Sequence, residues 1–307
     1  MRFKFSLLLL VPMLFYPQQK PNFEIGLQVD NDSFVSTYND FYYTAGTFIF
    51  ANSLSKKSTE DKKIIYGFKV GQQIFNPRYV KSPYPEDHNR PYAGYLFGEY
   101  SQTKMYRSNQ VFGFSLRLGV VGPNSKAEQF QDWMHSTFGF GEIIGWEYQI
   151  HNLLAVQFGA NYSKPIFSKI SNDKIDFHLC TDAEIGTAFT GMDVGTLGRI
   201  SLSKSIVPMQ QSNYYNGLGS SRKELYFFVL PKINLRLYDA TIQGSLFNDD
   251  SPVTFNLKPI RFKGEAGLKF KYNRYNLSCI FRYTTDEIKG NSAAGYYYGS
   301  LSGSYQF

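Results

Sequence analysis

Along most of the chain, apolar and polar residues alternate one by one. The run Phe23-Glu24-Ile25-Gly26-Leu27-Gln28-Val29-Asp30 is an example. A period of two puts one face of a strand in an apolar medium and the other in a polar one. Twelve such runs are legible, over residues 23–30, 43–51, 64–75, 92–106, 111–121, 153–163, 175–189, 194–203, 224–238, 259–272, 275–283 and 296–307. The last closes on Phe307. An open sheet of this kind would leave its edge unsatisfied in lipid, whereas a closed barrel pairs every backbone group. The pattern therefore predicts an all-β fold, a transmembrane antiparallel β-barrel of twelve strands.

The connections alternate in length. Those at 31–42, 76–91, 122–152, 190–193, 239–258 and 284–295 fall on one rim and are mostly the longer ones. On the other rim 107–110 and 273–274 are short, and 204–223 is expected to be a mobile periplasmic loop. Pro231 predicts a bulge or kink in the ninth strand. The third long connection carries the one helix signal. Ser125-Lys126-Ala127-Glu128 fits a capping box and Gly139 stops the run. On that helix Ala127, Phe130, Met134 and Phe138 are expected to face the barrel. Glu128, Gln131 and His135 form a polar line along it.

Composition sharpens the compartment. Arg2 and Lys4 precede an apolar run from Phe5 to Tyr16, the length of a signal peptide rather than of a span. Residues 1–20 are thus expected as a leader and 21–307 as the barrel. No mature stretch is apolar enough for a helical span. The 24 Tyr and 28 Phe suit aromatic girdles at two membrane interfaces. The net charge of +7 reads either as solubility or as attraction to anionic lipid headgroups. Cys180 and Cys279 are read as unpaired packing residues.

Four polar clusters map to the long-connection rim: Asp30-Asn31-Asp32-Ser33-Phe34, Tyr42-Tyr43-Thr44-Ala45-Gly46, Asp87-His88-Asn89-Arg90-Pro91-Tyr92-Ala93-Gly94, and Gly122 through His135. Singly each is ordinary. Asp30-Asn31-Asp32 is common loop chemistry, Thr44 is a usual strand former, Arg90-Pro91 can simply start a strand, and a loop-helix histidine is most often solvated. Together they hold the parts of an esterase without a serine nucleophile. Imidazole exchanges protons near neutral pH, so His135 is a candidate general base on water. Gln131, one turn earlier, can orient the ring, water or substrate. Asp32 with nearby carbonyls offers hard oxygens suited to Ca²⁺, and a bound cation polarises an ester carbonyl. No G-x-S-x-G elbow, P-loop, H-E-x-x-H or zinc spacing is present, and nothing points to nucleic acid.

The stretches V-D-N-D-S-F (29–34), Y-Y-T-A-G (42–46), R-P-Y-A-G-Y-L (90–96) and G-V-V-G-P-N-S-K-A-E-Q-F-Q-D-W-M-H (119–135) come in a specific order. G-W-E-Y-Q-I (145–150) and L-Y-D-A-T-I-Q-G (237–244) follow them. This order resembles that of the outer-membrane lipid A 3-O-deacylase (LpxR) family across nearly the whole mature chain. The resemblance implies a site between the barrel wall and the third-loop helix. It also implies Ca²⁺-dependent hydrolysis of the ester-linked 3′-acyloxyacyl group of lipid A, at the extracellular leaflet of the outer membrane. By that resemblance His135 is the general base and Gln131 the glutamine one turn earlier. Asn31 and Asp32 are the Asn-Asp pair, and Thr44 is the strand-two threonine. Two family positions fall one residue off. Its acidic residue lands on Gly141, beside Glu142, and its lysine on Ser82, beside Lys81. Glu142 is accordingly expected at the metal with Asp32, and Lys81 with Arg90 at the lipid phosphates. The expected partners are lipopolysaccharide and outer-membrane lipid around a monomer. An outer-membrane phospholipase A or a non-enzymatic porin or adhesive barrel is the alternative.

Overall fold

The computed structural model describes residues 20–36, 42–139, 141–167, 173–248, 250–291 and 295–307. The expected leader, Lys20 apart, lies outside them. Twelve antiparallel strands close into one barrel in which each strand pairs with its sequence neighbours and the first pairs with the last. They are β1 Phe23–Asn31, β2 Tyr42–Leu54, β3 Lys62–Asn76, β4 Ala93–Tyr106, β5 Val111–Val121 and β6 Leu153–Pro165. The series continues with β7 Ile175–Gly186, β8 Phe189–Ser201, β9 Glu224–Asp239, β10 Ile260–Tyr272, β11 Tyr275–Thr285 and β12 Gly295–Gln306. The seam runs from Glu24↔Gln306 to Asn31↔Gly299, and the Phe307 N–H donates to the Phe23 carbonyl at 2.8 Å.

Alternation divides the side chains between two media. On β1 Ile25 and Leu27 point out, with Ile49 of β2, Phe68 and Val70 of β3 and Leu118 of β5. The opposite parity fills the lumen with ion pairs. Arg117 bridges Glu99 and Glu184, both at 3.1 Å, while Lys232 and Arg282 share Glu265 at 2.7 and 3.3 Å. The lumen therefore holds much of its charge as matched pairs. Cys180 is buried and Cys279 exposed, and neither is in a disulfide, as expected.

Two local expectations are overturned and one is shifted in position. The turn between β7 and β8 is not at 190–193 but at Thr187-Ala188. There the Gln157 amide oxygen accepts from the Ala188 and Phe189 N–H groups, both at 3.2 Å. The cap of this turn comes from another strand. The bulge expected in β9 is present but lies at Leu237 rather than at Pro231: Thr190 pairs with Tyr238 and Gly191 with Arg236, and the strand runs unbroken through Pro231. The long connection 202–223 is tied down rather than mobile. Lys63 Nζ donates to the Gln210 carbonyl at 2.6 Å, Lys269 Nζ to that of Tyr214 at 3.1 Å, and Gln306 Nε2 to that of Asn216 at 2.7 Å. Tyr214 and Tyr215 share an internal cavity with Glu24, Lys69 and Glu99, so this segment folds into the lumen and fills its short-connection end.

Candidate active site

The third long connection folds back over the outside of the wall. Its helix α1, Ala127–Phe138, lies against β3 and β4 near the long-connection rim. The approach depends on a missing side chain. A Cβ built on Gly94 would stand 2.2 Å from the Ala127 Cβ and 2.1 Å from the Ser125 Oγ. Gln72 on the outer face of β3 donates to the Ser125 carbonyl at 2.6 Å. Ile74, Tyr92, Ala127, Ile143 and Trp146 form the buried cluster beneath, with Ala45, Val80 and Phe130 at its margin. Gly139 adopts φ +77° and ends the helix as expected.

The expected capping box does not form. Lys126 is the residue before the helix, in a left-handed conformation at φ +59°. Ser125 is buried and donates its hydroxyl to the Gly122 carbonyl at 2.6 Å. Packing against Gly94 and Gln72 outweighs the local motif. Of the expected packing face Ala127 is buried and Phe130 partly so, but Phe138 is 62% exposed.

Gln131 is 3% exposed, and its Oε1 accepts from the Trp146 indole N–H at 3.0 Å. An indole nitrogen only donates, which fixes the amide orientation and leaves Nε2 as the donor end. That buried nitrogen has no protein partner among the described residues. One turn on, His135 Nδ1 lies 2.7 Å from the Gly141 carbonyl. A carbonyl only accepts, so Nδ1 carries the proton and Nε2 is the basic nitrogen. Glu142 is the next residue and is exposed. Lys81 is exposed beside the same loop, its ammonium 3.4 Å from where a Gly141 Cβ would stand.

This loop is braced from the 77–92 connection. The Ile144 N–H donates to the Val80 carbonyl at 2.9 Å, and the Tyr92 hydroxyl to the Ile144 carbonyl at 2.9 Å. His88, buried between Tyr92 and Tyr148, reaches the Ser82 carbonyl at 3.2 Å. Gln131, His135, Glu142 and Lys81 therefore belong to one packed unit on the outer wall.

The remaining candidates lie next to it, at the ends of β1 and β2. Asn31 pairs in register with Ala45, whose side chain borders the helix cluster. Asn31 also caps the 3-10 turn Asp32–Phe34, its Oδ1 accepting from the Ser33 N–H at 2.8 Å. Asp32 within that turn is 4% exposed. On β2 the register passes from Tyr43↔Phe75 to Ala45↔Ile74, which makes Thr44 the extra residue of a bulge. Bulges re-aim a side chain, and this one is buried. Asp30 anchors the strand end from inside, accepting from the Tyr43 hydroxyl at 3.0 Å and facing Arg282 at 3.6 Å.

Arg90 stands apart. It is 1% exposed, with its guanidinium over the Phe75 ring at 4.4 Å, donating to Thr241 Oγ1 at 2.9 Å and facing Glu287 at 3.6 Å. Burial raises the Glu287 carboxyl, but Arg261 and Arg90 outweigh it and hold it below the usual range. Every contact named here directs Arg90 into the rim rather than toward the Lys81 loop.

The family model described as outer membrane protein LpxR matches residues 3–307. The chain belongs to that family. Among solved structures, LpxR from Salmonella typhimurium superposes with a TM-score of 0.75 at 16% identity, covering 92% of this chain and 100% of that one. The beta domain of the Bordetella autotransporter BrkA superposes at 0.52 with 9% identity, covering 94% and 100%. At these identities both likenesses speak to fold alone. No curated protein sequence matches the chain. Family and barrel together make this LpxR-family chain an outer-membrane protein.

Within this LpxR-family barrel the cation question turns on donor chemistry. Asp32, Asn31 and Thr44 carry hard oxygens of the kind Ca²⁺ takes. Among the described residues no three His, Cys, Asp or Glu side chains converge as a metal cluster. Further ligands would be backbone carbonyls, substrate oxygens or water. Sequence reasoning gave no role to Gly94, Gln72, Trp146 or the Gly141 carbonyl. A glycine inside a strand was the available signal for the first. A backbone carbonyl has none.

Proposed function

We propose that the protein is a lipid A deacylase, hydrolysing the ester that joins the 3′-acyloxyacyl group to the glucosamine. Its long connections then face the cell exterior, as in outer-membrane barrels generally, and the site meets lipopolysaccharide of the outer leaflet. The observation that carries this reading is the His135 Nδ1 contact with the Gly141 carbonyl, beside Gln131 and on the lipid-facing wall. It makes Nε2 the ring's basic nitrogen, on a helix held against the lipid-facing wall.

In the proposed reaction, His135 Nε2 takes a proton from water as the water oxygen attacks the ester carbonyl carbon. The same nitrogen returns the proton to the departing sugar 3′ oxygen, giving a free hydroxyl and the acyloxyacyl acid. Gln131 Nε2 holds water or substrate. Asn31 and Thr44 shape the oxyanion side, and Asp32, with Glu142 if its loop closes, would hold Ca²⁺. That ion, when bound, supplies positive charge to the carbonyl oxygen. Lys81 meets a glucosamine phosphate. Arg90, by its burial, supports the rim. A closed barrel has no strand edge to pair, which supports a monomer.

The test is mass spectrometry of lipid A from cells expressing the wild type or His135→Asn, with and without a chelator. The wild type should remove the 3′-acyloxyacyl unit. The variant should lose about 10²- to 10⁴-fold in rate while keeping a folded barrel. Retained activity would eliminate the base. Lysophospholipids instead of deacylated lipid A would favour a phospholipase.

A further inference from the structure

Below α1, the outer wall carries an opening that the proposed chemistry leaves unused. Register places Gly98 of β4 between Val70 of β3 and Leu118 of β5, with Val70 next to Ile49 of β2. Val70, Leu118 and Ile49 all project outward and are more than half exposed. The row of aliphatic side chains is broken at Gly98. Among the described residues it is the one strand glycine whose added Cβ would meet nothing within 4 Å. At the others a neighbouring atom already occupies or borders that space. The gap belongs to a groove of about 570 Å³, lined by Ile49, Val70, Gly98, Tyr100, Leu116 and Leu118.

Its position gives the gap a meaning. Gly94, which seats α1, and Gly98 lie on the same face of the same strand, four residues apart. At a rise of about 3.3 Å per residue, the notch is ~13 Å from the helix seat along the wall. Between them lies the row Gln72, Leu96 and Val120, and Gln72 is the residue bonded to Ser125. The groove thus begins one residue row below the helix seat and continues down the membrane-facing wall.

We infer that this groove receives the acyl chain of the ester being cleaved, and that Gly98 sets the chain length the site accepts. The inference rests on the deacylase reading above. A chain whose ester is held between α1 and the wall descends along β3–β5. A chain long enough to reach the notch fills space that no side chain occupies and gains van der Waals packing against the wall there. A second groove of similar size, about 550 Å³ around Ala266 and Leu268, lies on β8–β11, away from α1. It has the same chemistry and no site above it, which makes it the internal control.

The experiment compares wild type, Gly98→Leu and Ala266→Leu on lipid A pools differing in 3′-acyl length, read by mass spectrometry. Gly98→Leu should lower cleavage of the longer chain relative to the shorter by about tenfold, with short-chain cleavage near wild type. Ala266→Leu should leave the ratio unchanged. An unaltered ratio in Gly98→Leu overturns the inference. So does an equal shift in Ala266→Leu, which would reflect bilayer packing. If the wild type cleaves no lipid A, the deacylase reading falls separately. The groove is then read by Gly98→Cys carrying a bimane label in a Cys279→Ser background. An emission shift in nanodiscs containing lipid A, relative to phospholipid alone, supports the groove, and no shift overturns it.

Discussion

Two backbone and side-chain partners with one-way hydrogen bonding decide the chemistry of the residues that carry it. The Gly141 carbonyl sets the His135 tautomer and the Trp146 indole sets the Gln131 amide. The i, i+4 spacing of Gln131 and His135 was legible in the sequence. Their partners were not, because one is a main-chain oxygen and the other lies beyond a turn. The same helix holds a pH-dependent element. Burial pushes the Glu128 carboxyl up, and Asp132 and Glu147 add to the effect, against a hydrogen bond with Gln149. A carboxyl raised in the folded state contributes stability below its unfolded value of about 4.3. That contribution is lost as pH rises through the folded value. The α1 segment should therefore resist proteolysis better near pH 4 than at pH 7. In Glu128→Gln that gain on acidification should shrink. Matching pH slopes in the two proteins would show that Glu128 is not the group responsible. The effect should be small, since the side chain is only half-buried.

At the level of elements, the helix was legible because it breaks the alternation of the strands and ends on a glycine. Its seat was not, because a glycine within a strand does not say what approaches it. Gly94 admits Ala127 and Ser125 at distances where a methyl group cannot fit. The neighbours are a short side chain and a hydroxyl engaged with Gly122, so neither can swing away. Gly94→Val should lift α1 from the wall at a local cost of about 1–3 kcal/mol. It should also separate Gln131 and His135 from the β1–β2 end. We expect faster protease cleavage within 122–152 and at least tenfold less deacylation, with the barrel's heat-dependent gel migration intact. Normal activity would mean that the helix seat does not set the site. The 187–188 turn and the 202–223 connection escaped sequence reading for a related reason. Each is held by side chains remote along the chain, Gln157 in one case and Lys63, Lys269 and Gln306 in the other.

Across the whole molecule the alternating pattern was enough to specify a closed twelve-strand barrel, since twelve half-apolar strands in lipid have no other way to satisfy their backbones. What the pattern could not show is that the polar half would hold its charge in pairs. Inside, Glu265 is shared by Lys232 at 2.7 Å and Arg282 at 3.3 Å, and Arg282 also faces Asp30 at 3.6 Å. Asp30 adjoins Asn31 and Asp32, which couples the lumen to the end of β1. Glu265→Gln keeps the volume and removes the charge, leaving two largely enclosed cations without their shared counter-ion. Removing one partner of a fully buried pair costs about 3–5 kcal/mol, and at 12–23% exposure this network should lose a part of that. The variant should therefore convert to the unfolded gel form at a clearly lower temperature than wild type. Asp61→Asn is the matched control. Its pair with Arg107 spans 3.6 Å with side chains 81% and 77% exposed, a setting in which ion pairs contribute about 0–1 kcal/mol. Equal shifts in the two variants would mean that the lumen is wet enough to screen its charges, and that the network does not hold the strand end beneath the site.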